Sequence, residues 1–386
     1  MKKRRLILLA ALLGVAAVLL ALALSSRREP VYQGKTVMAW AADLYNSDPL
    51  VRSNASAALQ AMGPDALAFL SDTLNRPDPI LKRPYRALAP KLPLWVRRLV
   101  VRQLKPFDPA NNRLVALNAL SGLGTNVPVP LLVKTLGDPE RAIATQAAAT
   151  LGTIGRPAVP ELIRALGDRN NQARSLACHA LGMIGRDAVD ATPALIQRLA
   201  DKEINIRGQA AYVLGRFGQP GIAALIGALR NSDQVISIQA IRALANLGPQ
   251  AKEAAPALIE ATRVPAPAVR QNALEALGNV WPYAIESVTA LTAALKDPDA
   301  RVRMQAAQAL SRARRFRERQ IPVLIEALTD TDARVRTASA HTLGQIGELA
   351  SSAVPALKES LKDENELVRI QAGEALRKIE PEEVPE

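Results

Sequence analysis

The 386-residue chain has little of what most protein chemistry uses: one cysteine, two histidines and only 3% aromatic residues. The lone Cys178 excludes an intramolecular disulfide framework and a multi-cysteine metal site. It also leaves no cysteine near the N-terminus to carry a lipoprotein anchor. Scarce Phe, Tyr and Trp argue against one large compact core, because aromatics fill the volume between layers. What is abundant instead is small and aliphatic, chiefly Ala, Leu, Val and Ile. That composition suits helices stacked closely and many times over.

Charge is the second thin signal. The formal net charge is +13, yet Lys2, Lys3, Arg4, Arg5, Arg27 and Arg28 flank one hydrophobic run. Setting those aside leaves 43 basic against 36 acidic residues, a balance of +7. This weakens the case for nucleic acid that a pI of 10.2 would otherwise make. The run itself, Leu6 to Leu24, is apolar throughout. As a helix it spans roughly 28 Å, close to a bilayer core, and it is long for a cleavable signal. The sequence therefore predicts a single-pass anchor, with secretion after cleavage near Ala21-Leu22-Ala23 as the alternative. More positive charge precedes the run than follows it, which predicts a cytoplasmic N-terminus and an extracytoplasmic body, periplasmic if there are two membranes.

Self-similarity is the strongest feature. An A-x-x-x-L-G core recurs at Leu151, Leu181, Leu214, Leu244, Leu277, Leu310, Leu343 and Leu376, in steps of 30 or 33 residues. Weaker copies at Leu120, Leu88 and Leu59 bring the total to about eleven units. Each unit reads as two helices. Pro130, Pro160, Pro193, Pro256, Pro322 and Pro355 open the first, where a missing N–H costs nothing. A leucine follows two residues on, and an acidic residue ends the helix eight after the proline: Asp138, Asp168, Asp201, Asp297, Asp330 and Asp363, with Val264 the exception. The second helix carries V-R-x-x-A-A-x-x-L-G, and a left-handed glycine cap is expected at Gly155, Gly185, Gly218, Gly248 and Gly347. One hairpin cannot bury its apolar stripe alone; stacking buries it.

The proline start, the turn aspartate, the arginine six later and the L-G-x-I-G ending resemble HEAT repeats, nearest to the short kind of phycobilisome lyase subunits. The resemblance covers about residues 36–380. It implies a solenoid but little about function, since the family spans lyase subunits, a metal hydroxylase, glycosylases and plain scaffolds. Tyr32 to Trp40 is similar to a segment preceding the first repeat in membrane-anchored bacterial HEAT proteins. The hydroxylase branch would require several His-Glu dipeptides. Here neither His179 nor His341 precedes glutamate, and about 50 Å separates them at ordinary helix spacing, so they share no metal.

The remaining constellations read as architecture. Asp168/Arg174, Asp201/Arg207, Asp297/Arg303, Asp330/Arg336 and Asp363/Arg369 repeat too regularly for a ligand site. They predict a ladder, with Asp capping the second helix and Arg pairing within or between units. Gln146, Gln209, Gln239, Gln305 and Gln371 share one slot and predict a hydrogen-bonding row between repeats. Cys178 occupies an alanine slot and reads as a packed residue. Gly34-Lys35-Thr36 lacks the upstream glycine and strand of a phosphate-binding loop.

Two basic clusters stand apart. Lys82, Arg83, Arg86, Lys91, Arg97, Arg98, Arg102 and Lys105 lie in an acid-free stretch, 79–107, broken by Pro84, Pro90 and Pro93. Arg312, Arg314, Arg315, Arg317 and Arg319 form the second. Such runs are commonly solvated faces; as sites they would suit a partner protein or anionic lipid headgroups.

The sequence thus predicts an all-α, right-handed α-solenoid (superhelix) of about eleven HEAT-like helix pairs after one transmembrane helix. Its expected divisions are an anchor or signal segment (1–28), a short linker (29–37), the solenoid (38–380) and an acidic tail (381–386). The expected function is a non-enzymatic scaffold binding a protein or peptide at the membrane, with no cofactor. The alternatives are an enzyme or enzyme subunit akin to chromophore lyases, and nucleic-acid or lipid binding through the basic clusters.

Overall fold

A computed structural model describes residues 29–75, 109–122, 128–280, 284–313 and 315–380. The chain divides into two compact units, residues 1–150 and 151–386.

In the first unit, the stretch expected as a linker holds a small hairpin. Strands β1 (Val31–Tyr32) and β2 (Lys35–Thr36) pair antiparallel, Val31 opposite Thr36 and Tyr32 opposite Lys35. Gln33 and Gly34 turn between them at φ 47° and 76°, as a tight hairpin requires. Helix α1 (Val37–Asp43) follows, capped by the Thr36 hydroxyl, which accepts the Ala39 N–H. Buried Trp40 fastens helix to hairpin. Its indole N–H donates to the Tyr32 carbonyl at 2.9 Å, and the Lys35 ammonium lies 4.6 Å from its ring centroid while pairing with Asp43 at 2.8 Å. Lys35 is thus a structural cation. Helix α2 (Pro49–Asn75) bends at Gly63, whose φ of 53° and ψ of −126° interrupt the helix. Helices α3 (Pro109–Gly122), α4 (Val129–Thr135) and α5 (Arg141–Ile154) complete this part, α5 reaching past the boundary.

The second unit is a run of helix pairs. First helices are α6 (Val159–Ala165), α8 (Thr192–Arg198), α10 (Gln219–Ala228), α12 (Ala255–Ala261), α14 (Ile285–Ala294), α16 (Arg317–Ala327) and α18 (Val354–Ser360). Second helices are α7 (Asn171–Ile184), α9 (Ile204–Arg216), α11 (Gln234–Leu247), α13 (Pro267–Val280), α15 (Ala300–Arg312), α17 (Ala333–Ile346) and α19 (Glu366–Ile379). The expected prolines sit in the first turns of α6, α8, α12 and α18. Pro322 instead lies inside α16, because an extra turn beginning at Arg317 precedes it.

Adjacent second helices pack against one another, and the L-G glycines set how closely. A Cβ built on Gly344 would lie 2.9 Å from the Ala375 Cα, and one on Gly278 would lie 3.3 Å from the Ala309 Cβ. The glycines ending α7, α11 and α17 have positive φ, as expected, but the wrong ψ for a left-handed cap: Gly185 is at 70°, −133°, Gly248 at 56°, −135° and Gly347 at 74°, −147°. Only glycine enters that region readily. The sharp reversal launches a 3₁₀ segment toward the next first helix.

No helix among the described residues is long and apolar enough to cross a membrane. About 20 apolar residues are needed; most described helices have 7 to 14, and α2 is bent and carries Arg52, Asp65 and Asp72. This corrects the expectation of a single-pass protein with an extracytoplasmic body. The run from Leu6 to Leu24 that suggested it lies outside the described residues, and neither that location nor secretion after cleavage is retained.

Candidate interaction surface

The turn between the two helices of each unit carries the ladder, and its wiring runs forward. Arg174 donates through Nε and Nη2 to both carboxylate oxygens of Asp201 in the following unit, each at 2.9 Å. Arg270 does the same to Asp297 at 2.8 and 2.7 Å, Arg303 to Asp330 at 2.6 and 2.7 Å, and Arg336 to Asp363 at 2.7 and 2.8 Å. In each case Nη1 turns back to carbonyls of its own turn, as Arg303 does to the Asp297 carbonyl at 2.9 Å. In the first unit, buried Arg113 pairs with Asp138 through Nη2 while its Nε donates to the Leu74 carbonyl at 3.3 Å. One guanidinium thus ties its own loop and the next, in the bidentate geometry that makes arginine–carboxylate pairs strong.

The aspartates do not cap the second helices directly. Asp201, Asp297, Asp330 and Asp363 accept the backbone N–H two residues on. Caps come from that later position: Asn170, Asp233, Asp299, Asp332 and Asn365. The Arg336 hydrogen bonds hold Asp363 below the usual carboxylate range. For Asp201 and Asp330 burial opposes ionisation, but the bonds from Arg174 and Arg303 prevail and both are lowered. The half-buried caps Asp299 and Asp332 are lowered to about 2, chiefly by hydrogen bonds from Arg301 and Arg334.

Three rungs are missing. Ala144 stands where the arginine facing Asp168 should be. Asn231 stands where the acceptor of Arg207 should be, and Ser237 and Val264 replace the following arginine and aspartate.

The second helices also share an exposed slot one turn past the ladder arginine. It holds His179, Tyr212, Arg242, Glu275, Gln308, His341 and Glu374, every one exposed. A turn further come Met183, Arg216, Asn246, Asn279, Arg312, Gln345 and Lys378. Side-chain bonds stitch this strip across units: Ser175 Oγ donates to Gln209 Oε1 at 2.8 Å, Arg242 Nε to Asn272 Oδ1 at 2.8 Å, and His341 Nδ1 lies 2.9 Å from Gln371 Oε1. The predicted glutamine row is therefore only partial; Gln209 and Gln371 bond to other residue types, and Gln305 is buried.

Of the second basic cluster, Arg312, Arg315 and Arg319 are exposed and Arg317 is half-buried, with Nη1 reaching the Ile346 carbonyl at 3.4 Å. Arg314 lies outside the described residues, as does the whole first cluster, Lys82 to Lys105. Sequence reasoning missed Phe316, which is 40% exposed, sits at φ 58°, ψ 32°, and has the Arg315 guanidinium 6.0 Å from its ring centroid. Nothing in the local residue pattern marks a left-handed phenylalanine. Gln320 pins the turn from below, its Nε2 donating to the Ala313 carbonyl at 2.9 Å.

Chemistry of other kinds finds little support. Cys178 is fully buried, and burial foremost pushes its thiol up to about 12, which leaves it a packed residue. Among the described residues no three His, Cys, Asp or Glu side chains gather as a metal site. A cleft between α12 and α14 is lined by Ile259, Arg263, Glu286, Thr289, Lys296 and Asp297. Its carboxylate at Asp297 is already taken by Arg270.

The family model for HEAT repeats matches overlapping stretches from residue 96 to residue 377, most of the chain. The chain belongs to the HEAT-repeat family. Solved structures of similar fold include Kap121p bound to Pho4p, 14% identical with a TM-score of 0.55 over 91% of this chain and 42% of that one. The karyopherin Kap121p bound to the extreme C-terminus of the protein phosphatase Cdc14p is 13% identical, with a TM-score of 0.55 over 90% and 42%. Kap121p alone is 19% identical, with a TM-score of 0.53 over 89% and 45%. The chain therefore spans less than half the length of these structures, and at such identity the likeness is one of fold. No curated protein matches the sequence.

Proposed function

We propose that this HEAT-repeat protein is a non-enzymatic scaffold that binds a protein or peptide along the exposed strip of its second helices. The observation that carries this reading is the contrast between slots. Ladder and packing positions repeat the same residue from unit to unit, whereas the strip changes at every step, from His179 to Tyr212 to Arg242 to Glu275. A slot that stacking leaves free to vary can encode a partner. Its large amphipathic members, Tyr212 and Met183 beside Arg216 and Arg242, are of the kinds enriched at interfaces. Arg312 brings the second basic cluster onto the same strip. The two Kap121p structures bound to protein segments are consistent precedents for the fold.

The test is a pair of variants in the full chain. Tyr212→Ala with Arg242→Ala should weaken capture of the co-purifying partner about tenfold or more, as expected when interface hot spots are truncated. Lys358→Ala on a first helix should leave capture unchanged. Equal capture by both variants would refute the strip as the binding face.

A further inference from the structure

The missing rung at Arg207 leaves a carboxylate receptor without a carboxylate. Arg207 keeps one of the two backward bonds of the ladder arginines, Nη1 donating to the Asp201 carbonyl at 3.0 Å. In Arg174, Arg270, Arg303 and Arg336, which make the equivalent Nη1 bond, the Nε and Nη2 edge points forward to the next unit. In those four cases a buried or half-buried carboxylate fills the edge at 2.6–2.9 Å. The residue in the aspartate's place in the next unit is Asn231, whose Oδ1 accepts the Asp233 N–H at 2.9 Å. The fork is half-buried, preorganised, and meets no carboxylate among the described residues.

The surroundings specify the visitor further. Ile204, three residues before Arg207, is 75% exposed, and Val235, in the corresponding turn of the next unit, is 43% exposed. The equivalent positions at Asn171, Ala300, Arg301 and Arg334 hold polar or small residues, and Leu367, at the start of the last second helix, is also an exposed aliphatic, 63% exposed. The next rung is also vacant of charge, since Ser237 Oγ donates to its own Gln234 carbonyl and Val264 replaces aspartate. The acid of the Asn231 turn, Asp233, caps α11 by accepting the Val235 N–H at 2.8 Å and makes no ion pair with Arg207 among the described residues.

We infer that Arg207 receives an aspartate or glutamate of a partner protein, in a segment that also places an aliphatic side chain against Ile204 and Val235. The segment completes the rung that Asn231 leaves open. This deepens the scaffold reading and rests on it for the class of partner, while the site is separate from the Tyr212 and Arg242 pair used to test that reading.

A chemically defined probe exists in the chain itself. The segment Val354 to Glu366 carries Leu361 and Asp363 and fills the fork of Arg336 within the fold. Added as a synthetic peptide to the full-length protein labelled with ¹⁵N-arginine, it should shift the Arg207 Nε–H resonance. The same peptide with Asp363→Asn should bind about tenfold more weakly or worse, the difference expected for losing a bidentate charged pair. In the protein, Asn231→Asp fills the fork from within: it should raise Tm and abolish the peptide-induced shift. Arg207→Lys, which keeps the charge but not the fork, should weaken binding without unfolding the chain.

Three results would overturn the inference. One is equal binding of the Asp and Asn peptides. Another is binding undiminished in Asn231→Asp. The third is an Arg207 shift produced as readily by acetate as by the peptide, which would make this a small-anion site rather than a protein contact. Loss of partner capture in the strip variants with this titration intact would instead count against the strip alone.

Discussion

At the scale of single residues, Asp330 shows what one carboxylate does in this fold. It accepts both Arg303 donors from the preceding unit and the Asp332 N–H of its own turn. Asp330→Asn leaves a half-buried guanidinium short of its counter-charge and should cost about 3 kcal/mol in urea denaturation. The pH dependence has a definite sign. Asp201, Asp330 and Asp363 have folded pKa values below the usual 3.8, so their stabilisation is complete above the unfolded pKa and is lost as pH falls through the folded one. Stability should hold down to about pH 4 and fall below it, less steeply in Asp330→Asn, as thermal melts across that range would show. The aspartates and arginines were legible in the sequence; their direction was not. Within a unit they lie six residues apart and across units 27, and both spacings looked feasible. The carboxylate is committed to its own loop amide, so only the carbonyl faces the near arginine and the side chain pairs with the arginine behind it.

At the scale of elements, the close approach of α17 and α19 depends on Gly344. A methyl there meets backbone rather than a flexible side-chain tip, so Gly344→Ala should cost about 1–3 kcal/mol by urea denaturation, despite alanine's better helix propensity. The same change at Gly227, where an added Cβ meets nothing within 4 Å, should be neutral or stabilising. Helix pairs, their order and most boundaries followed from the proline, aspartate and L-G signals, because each marks a backbone requirement. The exceptions are instructive. Pro322 lies inside α16 rather than in its first turn, since the unit lost its I-G ending and Phe316 now makes the reversal at left-handed φ. The hairpin at Val31–Thr36 was also missed. Two-residue strands leave no alternation to read, and only Gln33-Gly34 hints at the turn.

At the scale of the molecule, the repeat architecture was the most legible property and location the least. Stacking repeats its demands every 30 or 33 residues, so signal accumulates; a single apolar run offers no such redundancy, and the described helices supply no membrane span. The strip carries no consistent residue type from His179 to Glu374, so no repeat signal marks it, and that inconsistency is its signature. The central claim is that partners bind this face and not the first helices. A photo-reactive residue placed in turn at positions 212, 308 and 341 on second helices, and at 326 and 358 on first helices, tests it directly in source cells. Mass spectrometry should find the same partner peptides joined at the three strip positions and absent at the other two. Crosslinks confined to 326 and 358, or equal at all five positions, would contradict the account.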